Sequence, residues 1–199
     1  MKQYNNYTAD DFTFVVCAYQ ECEYLEEAIR SVKEQTICAK ILISTSTPND
    51  FIQGIADRYD IPVCVNRDGG QIKDYNFAMA LPETPLMMHQ DEILAPAFLE
   101  KVLDALNHAK DPIIAFTNYL EMHNDEVDKK PSTMVRIKRM LLWPSLVHAW
   151  QGTWIGKRGI QLLGNPITHP TVVCVKDKMP EPAFFCGNVY PDRRVLLYM

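Results

Sequence analysis

Between Phe12 and Tyr119 the chain alternates short β-branched and aromatic runs with longer stretches whose apolar residues recur every three or four positions. No other feature constrains the fold as tightly. Strands that alternate with helices build right-handed crossover units, and these stack into a parallel sheet that helices must cover on both faces. The segments 12–19 (FTFVVCAY), 39–45 (AKILIST), 61–66 (IPVCVN), 85–90 (PLMMHQ) and 112–119 (PIIAFTNY) read as buried strands. Segment 23–35 carries Leu25, Ala28, Ile29 and Val32 on one helical face, with acids in its first turn. Segments 49–60, 71–82 and 96–109 read as the following helices, the last with Pro96 near its first turn. The expected fold is therefore α/β, an open and mostly parallel sheet with helices on both faces.

In such sheets ligands sit beyond the carboxyl ends of the strands. Four polar loops fall there: 18–21 (AYQE), 44–50 (STSTPND), 66–70 (NRDGG) and 89–92 (HQDE). The last admits three readings: a solvated turn, a helix cap, or a metal site at a strand end. A carboxylate such as Asp91 can hold Mg2+ or Mn2+, which favour oxygen ligands and leave positions for water or phosphate. Glu92 can add charge or cap the next helix; His89 can ligate manganese or hydrogen-bond a phosphate. Tyr19 can stack on a base or lie half-buried as an ordinary core-edge tyrosine. Ser44, Thr45, Ser46, Thr47 and Asn49 can read a base or ribose edge. Arg67, Lys73 and the Gly69-Gly70 turn can approach and neutralise phosphates. Neither a Walker A loop nor GxGxxG is present, which disfavours ATP hydrolysis and NAD binding.

Composition narrows the classes further. A hydrophobic content of 47% excludes global disorder, and a net charge of −5 argues against nucleic acid as a partner. The charge is uneven: residues 1–100 hold 7 Lys/Arg against 16 Asp/Glu, whereas 101–199 hold 13 against 9. Six cysteines form no CxxC pair and sit mostly in apolar runs, as reduced buried thiols do. The histidines lack zinc spacing, and no GxSxG elbow supports a serine triad. An N-terminus without an apolar signal core, and no run of 18 apolar residues, point to a cytoplasmic protein. Residues 134–159 mix bases with Trp143, Trp150 and Trp154. That stretch fits either peripheral contact with anionic lipid at the inner membrane face or a solvated basic face over a Trp-containing core.

The order of FTFVVCAYQECEYLEEAIRSVKEQT, ILISTSTPND, NRDGGQIKDYNFAMA and LMMHQDEILAPAFLEKVLDAL resembles family 2 glycosyltransferases of the GT-A fold. Tyr19-Gln20 stands for the family's Tyr-Asn-like pair, and Ser31-Val32 with Gln35 for its Ser-Val-x-x-Gln. Asn76-Phe77-Ala78 lies in the Asn-x-Ala helix, and His89-Gln90-Asp91 in place of the Asp-x-Asp metal motif. The resemblance covers residues 12–108 and extends through FTNY and LLGNPITHPTV towards 175. It implies a single GT-A-like domain over 1–199, with a nucleotide-binding half (1–110) and a shortened, incomplete acceptor-side half (111–199).

The activity implied is sugar transfer from a UDP, GDP or dTDP donor to a hydroxyl of a saccharide or lipid-linked acceptor, with inversion, in polysaccharide or glycolipid synthesis. Ala18, Tyr19, Glu21, Thr45, Ser46, Arg67, Lys73, Asn76 and Gln90 would bind the nucleotide. Asp91 and His89 would hold Mn2+ or Mg2+, and Asp192 would act as base. The sequence departs from the family in three places. His89 replaces an Asp, Thr45-Ser46 replace acids that often hold the base, and Arg193-Arg194 alter the context of Asp192. A non-catalytic GT-A-like nucleotide-binding or scaffold protein is the rival reading. A nucleotidyltransferase is disfavoured, because no Gly-rich Arg-Lys loop follows the first strand.

Overall fold

The computed structural model describes residues 2–123, 126–128, 130–151, 153–154, 166–167 and 172–184. Four strands form the central sheet: β1 (Thr13–Ala18), β2 (Lys40–Thr45), β3 (Val63–Val65) and β4 (Pro85–His89), in the order β3-β2-β1-β4. All neighbours are parallel. β1 pairs with β2 from Thr13↔Lys40 to Ala18↔Thr45, and with β4 from Thr13↔Pro85 to Cys17↔His89. The carboxyl ends of the three strands therefore finish side by side.

The connecting helices are α1 (Leu25–Lys33), α2 (Asp50–Tyr59), α3 (Gln71–Ala80) and α4 (Phe98–His108). Alternate residues of each strand face opposite sides, so each face has its own core. On one side Phe14, Val16, Ile43 and Met88 pack with Leu25, Ile29, Ile52 and Leu99 of α1, α2 and α4. On the other, Val15 and Met87 pack with Ala78 and Met79 of α3 and with Ala183 and Phe184. Burying each of the larger aliphatic side chains contributes about 1.5–3 kcal/mol.

Local signals fix the boundaries. Asn49 caps α2 by accepting from the Ile52 amide at 2.8 Å, and Asp60 closes it in the left-handed region at φ 53°. The fourth helix begins at Phe98 rather than at Pro96, whose carbonyl instead accepts from the Thr36 amide. A buried polar network holds this entry. Gln35 donates to the Ser31 and Ala95 carbonyls and accepts from the Leu99 amide, while the Ser31 hydroxyl accepts from the Leu94 amide. The Ser-Val-x-x-Gln sequence of α1 thus clamps the segment that follows β4.

Beyond α4 the structure departs from the simple alternation. The fifth strand, β5 (Ile114–Phe116), joins no parallel sheet among the described residues. It pairs antiparallel with β8 (Val172–Cys174), which lies against β4. The charged segment after Tyr119 is not wholly loop: β6 (Met122–His123) and β7 (Glu126–Val127) form a short antiparallel pair. Helix α5 (Thr133–Leu146) follows, capped by Ser132, with Pro144 in its last turn. A short helix, α6 (His148–Gln151), comes next. Among the described residues no helix is long and apolar enough to cross a membrane.

Candidate functional site

A cavity of about 460 Å³ opens at the carboxyl edge of the central sheet. Cys17, Ala18 and Tyr19 reach it from β1, and Ser44, Thr45 and Ser46 from β2. His89, Gln90 and Asp91 enter from β4, and the start of α3 supplies Gly70, Gln71, Asp74 and Tyr75. Gly70 precedes α3 at φ 100°, a conformation that glycine adopts without the strain a Cβ would add.

The loops are stitched together as they leave the strands. The Gln90 side chain accepts from the Tyr19 amide at 2.9 Å and donates to the Tyr19 carbonyl at 3.0 Å. Its amide thereby prolongs the β1–β4 pairing by one rung. Gln20 turns away in the left-handed region at φ 56° and donates its amide to the Thr47 hydroxyl. These bonds fix the backbone of Tyr19 while its side chain stays 54% exposed at the mouth.

Past β4 the chain gathers His89, Asp91 and Glu92, whose potential ligand atoms lie within 4.8 Å of one another. Glu92 folds back to accept from the His89 amide at 3.1 Å. Burial pushes the Glu92 carboxyl up to about 7; the His89 amide bond pulls it down and Asp91 pushes it further up. Burial holds the His89 imidazole below its usual range against the opposing pull of Asp91. The imidazole is therefore neutral near pH 7, the form that binds metals. One imidazole nitrogen and two carboxylates suit Mn2+, which accepts both donor types, better than the all-oxygen preference of Mg2+. Burial first, then Glu92 and Asp74, pushes the Cys17 thiol up to about 12, so it is not a thiolate ligand.

The opposite end of the cavity is organised by Asp74. Its carboxylate accepts from the Ser46 hydroxyl at 2.8 Å and from the Asn66 amide at 2.7 Å. Tyr75 stacks on His89, with centroids 5.4 Å apart and planes at 27°, and packs against Phe184 at 5.5 Å.

Of the residues expected from sequence, Ala18, Tyr19, Thr45, Ser46, His89, Gln90 and Asp91 come together around this cavity. Glu21, Arg67 and Lys73 are exposed and do not line it. The Asn76 amide pairs with both the amide and the carbonyl of Phe184, clamping segment 181–184 against α3. Asp192 lies outside the described residues. Sequence reasoning passed over Asp74 and Tyr75. From a helix that begins at Gly70, positions 74 and 75 share the face that looks onto the sheet edge, whereas Lys73 does not.

An open parallel sheet of this order, with its cavity at the carboxyl edge, defines a GT-A-type domain, and solved structures share that fold. Glucosyl-3-phosphoglycerate synthase from Mycobacterium tuberculosis, in complex with uridine diphosphate, superposes with a TM-score of 0.54 at 12% identity. The match covers 85% of this chain and 58% of that one. The same enzyme with Mn2+, UDP-glucose and phosphoglyceric acid gives 0.54 at 10% identity, over the same 85% and 58%. S. aureus TarS matches over 52% of this chain and 20% of its own, at 18% identity and a TM-score of 0.46. The chain thus spans 20% to 58% of the length of these proteins. No curated protein matches. The model of glycosyl transferase family 2 matches residues 13–173, and the chain belongs to that family.

Proposed function

We propose that the domain binds a nucleotide-diphosphate sugar along the carboxyl edge of its sheet and transfers the sugar to an acceptor hydroxyl, with a divalent cation at the β4 end. The observation that carries this reading is electrostatic. Asp74 and Asp91 line the cavity and Glu92 adjoins it, while among the described residues no Lys or Arg lines it. A diphosphate entering this acidic cavity would be repelled unless a cation came with it. His89, Asp91 and Glu92 are the residues that would hold that cation. Bound there, a divalent ion neutralises charge on the leaving diphosphate. Neutral His89 keeps a nitrogen lone pair for ligation, and the Tyr75 stack fixes its ring plane. Tyr19, held by Gln90, offers its exposed ring to the base; Thr45 and Ser46 face the nucleoside. An inverting reaction needs a carboxylate to take the acceptor proton, and that role falls to Asp192 on sequence grounds alone.

We assign the acceptor class as saccharide or lipid-linked, with contact at the cytoplasmic face of a membrane. The outer surface of α5 exposes Met134, Ile137, Met140, Trp143 and Leu146 beside Arg136, and segment 133–151 contains no acid. Such a surface suits an anionic interface. Incubation with UDP-glucose, UDP-N-acetylglucosamine or GDP-mannose and Mn2+ tests the enzymatic reading. Metal-dependent release of nucleoside diphosphate is expected. Nucleotide binding with no release or transfer across saccharide and lipid-phosphate acceptors would favour the non-catalytic rival.

A further inference from the structure

We propose that Asp74 is a specificity-determining residue that reads the nucleobase, and that it selects bases carrying a ring N–H (uracil, thymine or guanine) over cytosine and adenine. The inference rests on the nucleotide reading of the cavity and adds to it which nucleotides the cavity accepts.

Position comes first. The metal-capable cluster stands at the end of β4, one edge of the sheet, whereas Asp74 is bonded to Ser46 after β2 and to Asn66 after β3. With strands about 4.8 Å apart, the two ends of the cavity are separated by roughly 10–14 Å. Tyr19, after β1, lies between them. A nucleotide lying along the edge with its diphosphate at β4 therefore carries its base past Tyr19 to the β2 side, where Asp74 waits.

Hydrogen-bond accounting gives the selectivity. The Ser46 hydroxyl spends its only proton on Asp74, so its oxygen presents lone pairs alone. The Asn66 amide also donates to Asp74, and its backbone N–H is taken by the Thr45 carbonyl. The Thr45 hydroxyl accepts from the Thr47 amide. Each Asp74 oxygen keeps a second acceptor site after its one bond. This corner thus offers acceptors to a ligand, held rigidly from two strand ends. Uracil and thymine present N3–H to it, and guanine presents N1–H and N2–H. Cytosine N3 and adenine N1 are themselves acceptors and would meet the carboxylate lone pair to lone pair, which leaves both desolvated and unpaired. The acid that β2 lacks at Thr45-Ser46 is in this way supplied from α3.

The test is calorimetry on the full chain with saturating Mn2+ and UDP, GDP, CDP and ADP in turn. Wild-type protein is expected to bind UDP and GDP at least about tenfold more tightly than CDP and ADP. Asp74→Asn, which can turn an N–H towards cytosine N3, should shrink the UDP-to-CDP ratio at least about fivefold. Equal wild-type affinity for UDP and CDP overturns the proposal without any variant being needed. So does an Asp74→Asn protein that weakens every nucleotide in the same proportion, since that marks a purely structural tie. If no nucleotide binds wild-type protein with Mn2+, the nucleotide reading falls and this inference falls with it. If UDP binds but the ratios stay flat, only this inference falls.

Discussion

Gln90 is expected to serve the site at one remove, through Tyr19, and its replacement by alanine separates that role from direct ligand contact. Both of its amide groups are committed to the Tyr19 backbone, at 2.9 and 3.0 Å. Each such bond contributes about 0.5–1.5 kcal/mol net, and water can replace these exposed ones, so Gln90→Ala should cost about 1 kcal/mol of stability. For a chain of this size that is roughly a 2–4 °C fall in Tm. Tyr19→Ala removes a ring that is 54% exposed, so stability should hardly move. Affinity should instead fall by the worth of one base–aromatic stack, about 1–3 kcal/mol, or roughly 5- to 150-fold. Gln90→Ala leaves the ring in place on a loosened backbone, and about a fivefold loss of UDP affinity is expected. The decisive assay is a double-mutant cycle read by calorimetry with UDP and Mn2+. In the Tyr19→Ala background, Gln90→Ala should cost less than about twofold, because the partner it positions is gone. A further tenfold loss in that background would mean that Gln90 touches the nucleotide itself, and the positioning argument would be wrong.

Three other outcomes follow from the geometry. Gln35→Leu fills the same space but strips partners from the buried Leu99 amide and the Ala95 carbonyl. About 3 kcal/mol should be lost in urea unfolding, and a change within 0.5 kcal/mol would show the network to be idle. Glu26 accepts from Arg58 at 2.6 Å and from Tyr59 at 2.9 Å, and these bonds hold its carboxyl below the usual 4.5. A depressed folded-state value stabilises above the unfolded value and is lost as pH falls through the folded one. The Tm gap between wild type and Glu26→Gln should therefore be full at pH 7 and close progressively below 4.5; a gap that widens in acid would reverse the assignment. Finally, the protein should sediment with phosphatidylglycerol vesicles at low salt, but not with phosphatidylcholine ones, and Trp143→Glu should abolish this. Failure of wild type to sediment would remove the membrane contact.

How far the sequence reaches can be seen element by element. β1, β2 and β4 are short, β-branched or apolar runs bounded by polar loops, and a parallel sheet places every such loop on one edge. Tyr19, Thr45, Ser46 and the His89–Asp91 turn were therefore legible before any coordinates. Asp74 and Tyr75 were not, because a helix contributes them and its facing side depends on how Ala78 and Met79 pack on Val15 and Met87. The basic residues next to them drew attention by charge alone, yet Arg67 and Lys73 point to solvent. Gln90 was legible as a site residue but not as a clamp, since its partners are backbone groups 71 positions away. The departure of β5 from the parallel sheet turns on its pairing with β8, a contact set by tertiary structure and invisible to local periodicity. α5 hid for another reason: with apolar residues on several sides and only Val135 buried, it shows no clean amphipathic stripe.

The central claim is that a divalent cation held at His89, Asp91 and Glu92 joins a nucleotide diphosphate to this sheet edge. Electron paramagnetic resonance of Mn2+ with the protein tests it most directly. Free Mn2+ signal should fall sharply when UDP and wild-type protein are both present, and Asp91→Asn should restore most of it while circular dichroism stays unchanged. Mn2+ binding that ignores both UDP and Asp91 would contradict the claim.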